Sequence, residues 1–191
     1  GSPMRVDADE DHGTPELIIG SGKTGTVVAL DADSGDMIWR AEVGRHENDD
    51  LTELPANESI MVYPGSLGGV LTPTAYAEGT LYVPIVDMGF AFTGSSLEPD
   101  LIGGAGALVA LDATNGEERW SVALPAPNYG AATVVNDLVF TSDANGRVYA
   151  FARSDGAEVW HFDAGGGINA PLAAAGDLLR VPVGVSSPAV V

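Results

Sequence analysis

The 191-residue chain contains no cysteine, which excludes disulfides and thiol chemistry. Positive charge is almost as scarce. Eight Lys and Arg stand against 27 Asp and Glu, for a net charge of −19, and Lys23 is the one lysine. Binding to phosphate backbones depends on Lys and Arg, so this balance argues against nucleic acid as a partner. An acidic, lysine-poor surface works mainly through solubility, and it suits either a high-salt source or an arginine-favouring genome. No apolar run approaches the roughly 20 residues of a membrane-spanning helix. No signal peptide is recognisable, and Gly1-Ser2-Pro3-Met4 reads as an expression scar. Aromatic residues make up 7% of the chain and only three are Trp. All three Trp fall in one repeated stretch.

That stretch runs from Ala29 to Trp39, from Ala110 to Trp120 and from Ala150 to Trp160. Each copy has Ala first, Gly seventh and Trp last. The pattern predicts a strand, a tight turn through Gly35, Gly116 or Gly156, and a second strand carrying the Trp. Trp120 and Trp160 are 40 residues apart. Short strands repeating at roughly that period indicate a β-propeller with one blade per repeat. The expected fold is all-β, a partial propeller of four-stranded antiparallel blades. Trp39, Trp120, Trp160, Gly35, Gly116 and Gly156 are expected to be structural.

Residues 1–15 read as the scar followed by an acidic segment. Asp7, Asp9 and Asp11 alternate there, but the Gly and Glu of a calcium loop are absent. Residues 16–191 read as propeller. A first partial blade spans 16–43 and lacks its innermost strand. A blade with insertions covers 67–122, a regular blade 130–162 and a last partial blade 168–191, giving two complete and two partial blades. Between the first two lies a long polar loop, 44–66. Its centre, Arg45 to Asp50, offers His46, Asp49 and Asp50 as weak metal-ligand candidates beside the simpler reading of a capped surface loop. Loops of this length are commonly functional or disordered. A second insertion, 88–105, is rich in Gly, Ser and Pro. No helix is expected.

The repeated motif resembles the tryptophan-docking motif of the pyrroloquinoline quinone (PQQ) quinoproteins. The resemblance covers about residues 16–185 and looks like the C-terminal half of a PQQ-dependent alcohol dehydrogenase propeller. Gly22-Lys23-Thr24-Gly25 is similar to that family's G-K-N-G stretch. Tyr63-Pro64, Gly68-Gly69, Pro73, Ala75-Tyr76 and Tyr82-Val83-Pro84 follow its spaced P…GG-N-W-x-P-x-A-Y…Y-V-P pattern. Gly165 to Pro171 looks like its G-S-G-I-N-A-P stretch. The resemblance implies that Lys23 is a cofactor-binding residue at the quinone carbonyls, and that each Trp packs between neighbouring blades. It also implies an extracellular or periplasmic location.

The departures bear on function. The family's Asn-Trp pair beside the cofactor is here Val70-Leu71, and its vicinal cysteines are absent. Its calcium or lanthanide ligands and catalytic Asp fall upstream of residue 1. The expected reading is a noncatalytic propeller segment, a scaffold or binding module with no catalytic residue and no cofactor of its own. The alternative is the C-terminal half of an oxidoreductase, with PQQ and calcium bound by the complete parent. Incomplete end blades further imply self-association, most simply a two-fold dimer, or a missing propeller half.

Overall fold

In a computed structural model the described residues are 2–53, 58–93, 96–100 and 103–184. Short runs rich in apolar and β-branched residues, set between turns, give seventeen strands among the described residues, and the sole helical turn there is a 3-10 turn at Glu10–His12. The strands β1 (Met4–Val6), β2 (Leu17–Ser21), β3 (Thr26–Asp31) and β4 (Met37–Glu42) form one antiparallel meander. A second sheet contains β6 (Ala75–Ala77), β7 (Thr80–Asp87), β10 (Ala105–Asp112) and β11 (Glu118–Leu124). A third contains β12 (Thr133–Val135), β13 (Leu138–Ser142), β14 (Arg147–Ala152) and β15 (Glu158–Asp163). β16 (Ala173–Ala175) and β17 (Leu178–Arg180) begin a fourth.

The first blade therefore corrects the expectation that it lacks its innermost strand. Met4–Val6 pairs with Leu17–Ile19, and Val6 is buried. The segment assigned to a scar and an acidic tail is in part a strand. Its single buried apolar side chain is masked by flanking charges. Three sheets are complete, where two were expected. The first strand of the second blade is short, Ala75–Ala77.

The long loop and the second insertion pair with each other, which nothing in the repeat foreshadowed. β5 (Ser59–Val62), from the loop, joins β8 (Phe90–Thr93) and β9 (Ser96–Pro99), from the insertion, in a separate three-stranded sheet. The sequence outside the repeat thus builds a small sheet of its own.

Three apolar seams hold the sheets together. The first buries Val27, Ala29 and Trp39 against Leu81, Val83, Val109 and Leu111. The second buries Tyr82 and Leu108 against Val139, Tyr149 and Phe151. The third is small, with Val148, Ile168 and Leu172 at its centre. Strand β12 touches both β6 and β16, so the first strands of successive sheets converge, as blades do about an axis.

The three motif copies have matching turns. In each, Gly at the seventh position has a positive φ, 77°, 76° and 74° in order, which favours glycine. Its N–H donates to the carbonyl of the third position: Asp31, Asp112 and Ala152. Each copy pairs its first Ala with its Trp, and the register shifts immediately after that Ala. The Trp is thereby set at one place on the flank of each blade. Trp39 Nε1 donates to the Ala113 carbonyl at 2.9 Å and Trp120 Nε1 to that of Arg153 at 2.9 Å. A Cβ on Gly116 would stand 2.6 Å from the Trp39 ring, and one on Gly156 would stand 2.7 Å from the Trp120 ring. Each of these two rings lies flat on the turn of the following blade.

Candidate functional site

Lys23 sits on the tight turn between β2 and β3. That turn rests on the start of the second blade. Val70 N–H donates to the Gly22 carbonyl at 2.9 Å, and a Cβ on Gly69 would stand 2.5 Å from the Lys23 carbonyl oxygen. Only glycine allows so close a backbone approach. The sequence pattern thus brings Lys23 and the Gly69-Val70 pair together. Val70 itself is fully buried in the seam between the first two blades, so its side chain faces the core.

A cavity of about 690 Å3 opens beside this turn. Lys23, Thr24, Arg40, Glu42, His46 and Asp49 contribute polar groups, and Leu51, Val62, Pro64 and Phe92 make the apolar side. The size suits a small ligand. The Lys23 side chain is exposed and makes no ion pair among the described residues.

His46 closes one wall. Its Nδ1 lies 2.7 Å from Asp49 Oδ2, and its Nε2 lies 3.4 Å from the Gly25 carbonyl. Both ring nitrogens face acceptors, which suits an imidazolium with two donors. Burial pushes its pKa down, but the hydrogen bond and charge of Asp49, the Gly25 carbonyl and Glu42 together raise it above the ordinary value. The loop is fastened further along by antiparallel pairing of Glu47 with Tyr63. The Arg45 guanidinium lies 3.9 Å from the Tyr63 ring centroid, and the Arg45 N–H donates to Asp87.

Of the metal-ligand candidates, His46 and Asp49 meet each other and Asp50 does not join them. Among the described residues no group of three or more His, Cys, Asp or Glu side chains could hold a metal ion. Asp9, in the acidic segment, instead accepts hydrogen bonds from His12 and Tyr76. A quinone with its metal needs several anionic ligands and groups along the faces and edge of a planar ring. This chain supplies Lys23 and, in place of the amide and aromatic, a sealed Val70 and a half-buried Leu71. These residues do not make that site by themselves.

A buried polar network at the joint of the second and third blades has no signature in the sequence. Asn128 Nδ2 donates to the Ala107 carbonyl, and its Oδ1 accepts from Thr141. The buried Asp143 carboxylate accepts from the Tyr149 hydroxyl at 2.8 Å and from the N–H groups of Asn145 and Arg147. Burial, together with this anionic neighbour, pushes the Tyr149 phenol well above its usual pKa. A buried carboxylate satisfied in this way positions a turn and is not itself exposed to a ligand.

The comparisons with known proteins agree with the architecture. Over 95 residues the chain is 35% identical to the quinoprotein alcohol dehydrogenase PedH of Pseudomonas putida KT2440. That match covers 49% of this chain and 15% of PedH. The structure is similar to quinohemoprotein alcohol dehydrogenase ADHIIG from Pseudomonas putida HK5, with a TM-score of 0.70 at 18% identity over 89% of this chain and 31% of that one. It is also similar to a europium-containing methanol dehydrogenase, with a TM-score of 0.68 at 19% identity over 90% of this chain and 36% of that one. The chain thus spans about a third or less of these relatives, and at such identities the structural likeness shows the fold alone. No helix among the described residues is long and apolar enough to cross a membrane. A family model described as outer membrane protein assembly factor BamB matches residues 23–184, and the chain belongs to that family of PQQ-like repeat propellers.

Proposed function

We propose that this chain is a noncatalytic propeller segment that acts as a scaffold or binding module. The observation that carries this reading is the burial of Val70. Where the quinoprotein resemblance calls for an amide and an aromatic beside a cofactor, the chain has an aliphatic sealed in the blade seam. The tryptophans and glycines of the repeat are proposed to serve as joints between blades, through Trp39 on Gly116 and Trp120 on Gly156. Family likeness supports a location outside the cytoplasm, extracellular or periplasmic.

A second reading has its own support. The Lys23 turn is seated on Gly69-Val70 at the mouth of a ligand-sized cavity. An ammonium there suits a quinone oxygen that gains negative charge on reduction. In this reading the chain is the C-terminal part of an alcohol dehydrogenase-type oxidoreductase. The metal ligands and base would come from an upstream half, and PQQ and calcium would be bound by the complete parent.

Equilibrium dialysis with PQQ and calcium separates the two. The scaffold reading expects no tight binding by this chain. Submicromolar binding that is lost in Lys23→Ala would overturn it in favour of the oxidoreductase.

A further inference from the structure

The joint between the second and third blades differs from the first joint at four corresponding positions. Pairing with the repeated motif fixes the correspondence. Leu17 and Ile19 pair with Asp31 and Ala29, the third and first motif residues, as Thr80 and Tyr82 pair with Asp112 and Ala110. Ile38 and Arg119 stand just before the motif Trp. Ala113 and Arg153 are fourth motif residues, whose carbonyls accept the indole N–H of the blade before. The first joint thus has Leu17, Ile19, Ile38 and Ala113, all apolar. The second has Thr80, Tyr82, Arg119 and Arg153, all polar. The third blade is apolar again at the first three, with Leu138, Phe140 and Val159. The blade geometry therefore does not call for polar groups here, and burying them costs free energy unless they are partnered.

The four polar residues line a cavity of about 350 Å3, together with the exposed residues Glu78 and Asp137. Their hydrogen bonds leave a surplus of donors. Arg119 Nη1 donates to the Thr80 hydroxyl and Nη2 to Asp112. Arg153 Nε donates to the Tyr82 hydroxyl at 3.1 Å, Nη1 to the Asn136 carbonyl, and Nη2 to the Ala77 carbonyl and Glu78. Each hydroxyl accepts from an arginine, and neither hydroxyl proton meets an acceptor among the described residues. Thr80 is 4% exposed and Tyr82 1%, so these protons have little access to bulk water. Arg119 also keeps its Nε–H and one N–H on each terminal nitrogen, and Arg153 keeps one on Nη1.

We propose that this cavity binds a small organic monocarboxylate. A carboxylate is acceptor-only, which complements guanidinium and hydroxyl donors that lack acceptors. The volume lies near the lower end of small-molecule sites. The Glu78 carboxylate is already paired to Arg153 at 3.1 Å. That of Asp137 meets no cation among the described residues and repels a second negative charge, which disfavours phosphate and other dianions. The site shares no residue with the cavity beside Lys23, so it goes beyond the scaffold reading and is independent of quinone binding.

The test titrates the isotope-labelled full chain with sodium acetate at constant ionic strength and follows the backbone amides by NMR. Saturable shifts centred on Thr80, Tyr82, Arg119 and Arg153, with millimolar affinity or better, are expected. Tyr82→Phe keeps the ring against Trp120 and removes only the hydroxyl. Arg119→Gln changes an exposed side chain, so it carries the test alone if Tyr82→Phe fails to fold. Each should weaken acetate binding about tenfold, the loss of one hydrogen bond to a charged group. Lys23→Ala should bind acetate as the parent does. The absence of saturable shifts, an unchanged affinity in Arg119→Gln, or tighter binding of inorganic phosphate than of acetate would overturn the proposal. Loss of acetate binding in Lys23→Ala would also overturn it, because the cavity beside Lys23 would then be the site.

Discussion

Trp39 and Trp160 hold the last place in the same eleven-residue unit, with matching turns, register shift and Ala partner. One is 7% exposed and the other 45%. The unit has the same hairpin in both places, but it does not bury its own Trp. Burial comes from the next blade, whose turn offers a flat glycine and a free carbonyl. Stability in such an array is a sum of unit terms and neighbour terms, and the tryptophan belongs to the neighbour term.

Truncating the tryptophans puts the largest weight on this comparison. Trp39→Ala should cost about 3–5 kcal/mol, as large-to-small aromatic changes in cores do. Trp120→Ala, at a joint that is less completely buried, should cost somewhat less. Trp160→Ala should fall within about 0.5 kcal/mol of the parent, as exposed substitutions do. Urea unfolding of the three variants measures the order. A Trp160→Ala cost equal to that of Trp39→Ala would break the comparison.

The glycines sharpen it from the other side of the joint. Gly35 and Gly116 share nearly the same φ, but a Cβ on Gly35 meets open space and one on Gly116 meets Trp39. Alanine at either site carries the left-handed penalty of about 1–2 kcal/mol. Gly116→Ala should lose a further 1–3 kcal/mol or so from overpacking. That extra loss should disappear when Trp39 is already Ala, which a double-mutant cycle reads directly. Equal costs for the two alanines would mean that the ring does not rest on the glycine.

What was legible in the sequence divides along the same line. In the third blade the apolar-rich runs Leu138–Ser142 and Arg147–Ala152 are marked off by the turn residues Asn136-Asp137 and Asp143–Gly146. Met4–Val6 was hidden, since three residues with one buried side chain carry no periodicity among aspartates. The pairing of Ser59–Val62 with Phe90–Thr93 was hidden for a different reason. Both segments lie in insertions, and a cross-chain register leaves no mark in either one alone. At the candidate site, the cluster His46, Asp49, Asp50 was visible as composition, but only packing against the Gly25 turn decided which two would meet. The approach of Lys23 to Gly69 had no local signal. Asn128 and Asp143 looked like loop residues until the blades closed over them.

The smallest effect separates the repeat-built joints from the inserted loop by pH. The joints use an indole N–H and a backbone carbonyl, neither of which titrates in the accessible range. The loop is fastened by His46, whose folded pKa is raised. A group raised above its unfolded value contributes stability that is fully present below the unfolded pKa, about 6.5 for histidine, and lost as pH rises through the folded pKa. The charged neighbours are Asp49 and Glu42, with Lys23 and Arg40 across the cavity. The change is assigned to the imidazole, the group of this loop whose pKa is raised. Losing its charge while keeping one hydrogen bond should weaken the loop by about 1 kcal/mol. Hydrogen exchange at the Glu47 and Tyr63 amides, corrected for intrinsic rates, should therefore show more frequent opening above neutral pH. The indoles of Trp39 and Trp120 should show no such trend, and His46→Gln should flatten the trend in the loop. A pH dependence that survives in His46→Gln would assign the fastening of this insertion to another group.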